Sequence, residues 1–121
     1  MKIPVILSFD LSFNGDYEGM YKWLDKHEAM ECGDSVCRLV YESMVEQMKT
    51  FGDSQALIRE IQKDLMGSVN FGRNDRVYLT SVFKLSDGTD RLAGLFIIGQ
   101  RKPNPWAGYA KKEHNLDNLD Q

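Results

Sequence analysis

Cysteine and histidine are scarce in this chain, with two of each among 121 residues. No apolar run approaches the roughly 20 residues that a membrane span requires. Two cysteines, Cys32 and Cys37, exclude a disulfide-framework protein. Placed on one strand they would face opposite sides, a poor geometry for bridging, so they read as reduced, packed thiols of a cytoplasmic protein. His27 and His114 have no spacing that would complete a zinc site with them. Charge of one sign is also missing: 15 basic against 18 acidic residues leave a net charge of −3. No overall field draws the protein to nucleic acid or to an anionic membrane, and any such contact needs a local patch. The N-terminal Met-Lys-Ile-Pro-Val-Ile-Leu-Ser carries one basic residue and a short apolar run, which reads as a strand rather than a secretory signal.

What is present is ordinary for a globular domain: 42% hydrophobic and 27% charged residues. A chain of this length buries about two thirds of its unfolded surface as one domain and needs no metal or disulfide staple. Residues 3–9 form a short apolar strand that delivers Asp10 into a Ser-Phe-Asn-Gly-Asp turn. A strand end holds a side chain rigidly while the following loop leaves it open to solvent, so Asp10 is a candidate working residue. The alternative role for such an aspartate is to form the turn or cap the next helix.

Helical spacing of Tyr17, Met20, Tyr21 and Leu24 predicts a helix over residues 16–29, capped by Asp16 or Asn14. Alternation over residues 36–41 predicts a strand, with a tight turn at Gly33-Asp34. Met44, Met48 and Phe51 predict a short helix over residues 43–51, followed by a stronger one from Asp53 or Ser54 to Gly67. Residues 76–85 and 92–98 read as strands joined by an Asp87-Gly88 hairpin turn, the second apolar on both faces and expected to be well buried. Two main helices cover one side of such a sheet. The other side must meet solvent or a second copy, and the doubly apolar last strand points to a homodimer.

Residues 1–100 thus make the α+β domain, and residues 101–121 a basic, aromatic extension with an acidic end. Arg101, Lys102, Lys111 and Lys112, with Trp106 and Tyr109, form a candidate surface for RNA, DNA or a protein partner. Equally, the two aromatics can fold back over the sheet or hook a dimer partner, and the acidic net charge favours that packing role.

Ser8-Phe9-Asp10-Leu11, followed by Gly15-Asp16-Tyr17 and a helix with Met20, Tyr21 and Leu24, resembles the opening of the ferredoxin-like small nucleases. That superfamily includes the CRISPR-associated spacer-acquisition subunit and the virulence-associated D-type toxins. Gly33-Asp34-Ser35-Val36 resembles the start of the family's central strand, and Asn74-Asp75-Arg76-Val77-Tyr78-Leu79 its strand after the second helix. The resemblance implies a ferredoxin-like antiparallel sheet with two helices on one face, here with an added C-terminal hairpin. It also implies that Asp10 from each protomer of a dimer binds one Mg²⁺, which activates water against a phosphodiester. In such a topology residues 36–41 are expected to lie parallel to the first strand. Glu42 would then emerge beside Asp10 as a catalytic helper, near the N-termini of both helices, with Asp16 as a further metal-binding carboxylate. The candidate functions are therefore a Mg²⁺-dependent endonuclease, a catalytically silent binding or assembly subunit, or a regulator of a protein partner, of mobile-element or defence origin.

Overall fold

The computed structural model describes residues 1–110 of the chain. Period-two alternation at the N-terminus folds as β1 (Lys2–Asp10), in which Ile3, Val5, Leu7 and Phe9 are buried and the residues between them lie on the other side. Helix α1 (Tyr17–Lys26) starts at Asp16, whose carboxylate accepts the Gly19 amide, and it buries Met20 and Trp23. The turn predicted at Gly33-Asp34 joins β2 (Met30–Gly33) to β3 (Val36–Glu42), with Ser35 in the left-handed region at φ 61°. Cys32 is thereby exposed on β2 and Cys37 buried on β3, so the two free thiols sit on neighbouring strands rather than one.

The short helix expected over residues 43–51 does not form. Glu60 accepts the Ser43 hydroxyl and the Met44 amide, while Asp53 accepts the amides of Lys49 and Thr50. Those side chains take donors that a helix would need, and the segment stays irregular. Helix α2 (Phe51–Ser68) consequently begins earlier than expected, at a Thr50/Asp53 capping box, and runs through Gly67. The chain closes with β4 (Arg76–Lys84) and β5 (Asp90–Ile98), joined by the expected turn, where Gly88 has φ 83°.

The five strands form one antiparallel sheet in the order β2-β3-β1-β4-β5. This α+β arrangement is compatible with the expected ferredoxin-like fold. The expectation that residues 36–41 run parallel to β1 is overturned: Lys2 pairs with Glu42 and Ser8 with Val36. Through α1, β2 returns in the direction of β1, and the tight turn then reverses the chain, so β3 must oppose β1. One side of the sheet packs with Met20, Trp23, Leu57, Ile61 and Leu65 of the helices around Leu7, Val77 and Leu79. Among the described residues the other side is uncovered. β5 is not the well-buried strand its composition suggested, because it occupies the sheet edge: Ile97 is buried but Leu92 is 73% exposed. Among the described residues no helix is long and apolar enough to cross a membrane.

Candidate binding surface on the open side of the sheet

At the end of β1, the register sets Asp10 opposite Arg76 and Ser8 opposite Tyr78, and Tyr78 opposite Phe96 of β5. Alternation puts all five side chains on the uncovered side. Arg76 Nη2 donates to Asp10 Oδ2 at 2.6 Å, with the arginine side chain 23% and the aspartate 66% exposed. The guanidinium carbon lies 5.7 Å from the centre of the Phe96 ring, a cation–π distance. Tyr78 and Phe96 meet edge to face with centroids 5.0 Å apart. Gly94 completes the arrangement, since a Cβ there would overlap the Tyr78 ring, which lies across the bare backbone. These residues line a cleft of about 240 Å³.

The other proposed metal carboxylates do not join Asp10. Asp16 Oδ1 accepts the Gly19 amide and Oδ2 the Asn70 amide, both at 2.9 Å, so this carboxylate caps α1 and ties it to the segment after α2. The Asn70 bond, then the Gly19 bond, holds its carboxyl below the usual range. Glu42 pairs with Lys2 at the opposite end of the sheet, a consequence of the antiparallel β3. The N-terminus of α2 also opens at that far end, where the Ser54 hydroxyl meets the Lys84 carbonyl; the helix N-terminus near Asp10 is that of α1. Among the described residues no three His, Cys, Asp or Glu side chains group in a way that could hold a metal ion.

A carboxylate that sequence reading did not single out does the positioning. Asp75 is 1% exposed; its Oδ1 accepts the Ser12 amide at 2.6 Å and the Ser12 hydroxyl at 2.9 Å, and its Oδ2 the Gly72 amide at 2.6 Å. Burial alone would raise this carboxyl, but the three hydrogen bonds outweigh it and hold the group below its ordinary value. The loop after β1 is thereby fastened to the start of β4, which fixes Asp10 beside Arg76. Gly99, at φ 76°, passes so close to the Asp75 carbonyl and to Arg76 that a Cβ has no room there. The exit of β5 is thus pinned to the same end. A second polar cluster joins both helices to β3: Asp64 Oδ2 lies 3.1 Å from His27 Nε2 and accepts the Tyr41 hydroxyl at 3.0 Å.

Toward the far end the open side turns apolar. Val40, Pro4, Val82 and Leu92 follow one another across neighbouring strands, with Ile6 and Met30 in the adjoining row. Val40, Val82 and Leu92 are each more than half exposed, and with Pro4, Ile6 and Met30 they line a groove of about 590 Å³.

Arg101 and Lys102 follow Gly99 and are exposed. Trp106 and Tyr109 are exposed at 70% and 58%, and Lys111 and Lys112 lie outside the described residues. The signal for Tyr78 and Phe96 was present as strand alternation, but their meeting depends on the register of β4 with β5. No protein-family model, curated protein or solved structure matches the chain.

Proposed function

We propose that this chain is a binding and assembly module of ferredoxin-like topology that works through the open side of its sheet, and that a second copy covers the apolar half of that side. The supporting observation is the contiguous band of Pro4, Ile6, Val40, Val82 and Leu92, an exposed apolar patch on a sheet whose other side is fully packed. In an isologous pair the same patch meets itself, so one self-complementary surface satisfies both protomers. Binding has more support than hydrolysis. A Mg²⁺ ion approaching Asp10 meets the Arg76 guanidinium already bonded to it, both Asp16 oxygens are committed to backbone amides, and Glu42 sits at the wrong end. The exposed free thiol of Cys32 suits the reducing cytoplasm.

Sedimentation equilibrium tests the assembly. The unaltered protein is expected at twice 13.9 kDa. Val82→Glu combined with Leu92→Glu is expected to give a monomer with an unchanged circular dichroism spectrum. A monomeric unaltered protein at every concentration overturns the reading. Mg²⁺-dependent cleavage of RNA or DNA that disappears in Asp10→Ala would instead restore the hydrolytic alternative.

A further inference from the structure

We infer that the Asp10 end of the open sheet side is a stacking site for a base of single-stranded nucleic acid. The inference rests on a different part of the face from the assembly reading and does not depend on it. Three observations carry it. First, the Tyr78 ring packs over Gly94, where any Cβ would collide with it, so the half-buried ring sits directly against the bare backbone of the sheet. An aromatic ring held on the surface of a sheet offers a stacking partner to any base, because every base has a π-face. Second, Phe96 and Tyr78 meet edge to face, and Arg76 stands over Phe96, so the Tyr78 ring is bounded by a second aromatic and a cation. Among the described residues the hydrogen bond of Arg76 is the one to Asp10, which leaves further guanidinium donors for a phosphate oxygen. Third, Gly99 pins the exit of β5 against Asp75 and Arg76, so Arg101 and Lys102 leave the fold at this same end. A protein with net charge −3 therefore concentrates cations next to two half-buried aromatics that line an open cleft, the combination that tracks a single strand by charge and stacking.

The chemistry shared by RNA and DNA is a base π-face joined to a phosphodiester, and the test separates the two sources. Fluorescence anisotropy with labelled oligouridylate and oligothymidylate is expected to show binding of both that weakens as salt rises. Tyr78→Leu keeps apolar bulk but removes the ring, and a loss of about tenfold or more in affinity is expected at unchanged melting temperature. Gly94→Ala, which must lift the ring, is expected to weaken binding in the same direction. Binding of the RNA alone, with the same Tyr78→Leu loss, supports the site and adds recognition of the 2′-hydroxyl. No binding at low salt overturns the inference. So does binding that Tyr78→Leu and Phe96→Leu leave intact while replacement of Arg101 and Lys102 by Ala abolishes it, because the strand would then be held by charge in the extension alone.

Discussion

Leu7 and Ile6 are neighbours on the central strand, yet one is fully buried and the other 44% exposed. The contrast extends across the sheet. On the helix side the strands contribute Leu7, Val77 and Leu79 to a continuous core; on the open side similarly apolar residues, Ile6, Val82 and Leu92, have no helix above them among the described residues. The composition of the two sides differs less than their surroundings do. Apolar character on the first side holds the monomer together, and on the second it is exposed among the described residues. The polar end of the open side departs from both, because Asp10, Arg76, Tyr78 and Phe96 there combine charge with aromatic surface.

The largest test of this contrast compares the two neighbours directly. Leu7→Ala is expected to lower unfolding free energy by roughly 2–5 kcal/mol, because no adjoining group can fill the space. Ile6→Ala should stay within about 0.5 kcal/mol for the monomer, both read by urea denaturation. A comparable loss for Ile6 at low protein concentration would mean that this side is covered within the single chain.

Next in size is Asp75→Ala. It leaves the Ser12 and Gly72 amides without their acceptor and is expected to destabilise by about 2–3 kcal/mol. It should also loosen the Asp10 end, seen as faster amide exchange at Ser12 while Leu7 remains protected.

A similar contrast is expected in pH dependence. Asp75 is held below its ordinary 3.8, so its contribution is complete above that value and falls away as pH drops further. Burial pushes the Cys37 thiol up to about 11 from 9.0, and burial with the neighbouring Asp64 raises Tyr41 as well. The Cys37 contribution is complete below pH 9.0 and is lost as pH rises through about 11, and that of Tyr41 is complete below 10.0 and falls away at higher pH. Melting temperature against pH should therefore show a plateau with a fall at each end. Asp75→Asn is expected to flatten the acid limb while leaving the alkaline one. The smallest effect is expected at the α2 cap, where Thr50→Ala removes the acceptor for the Asp53 amide and costs about 1 kcal/mol, measurable by thermal denaturation.

Much of this architecture was legible residue by residue. The strand β1, the Asp16 cap of α1, and the Gly33-Asp34 and Asp87-Gly88 turns all follow from local sequence. The segment over residues 43–50 was misread because its methionine spacing is helical, while the side chains that unravel it, Glu60 and Asp53, come from the following helix. β5 was misread because an apolar strand looks the same at the centre and at the edge of a sheet.

The sequence by itself determined the periods, two for the strands and 3.6 for the helices, and with them which residues share a face, because a side chain's direction depends on its own backbone. Strand order and register decided the rest: that β3 opposes β1 and carries Glu42 away, that Arg76 rather than a second carboxylate meets Asp10, and that Tyr78 reaches Gly94 and Phe96. Asp10 and Arg76 are far apart along the chain, and the packed core under the helices holds their strands in alignment, while the turn at Gly88 sets β5 against β4.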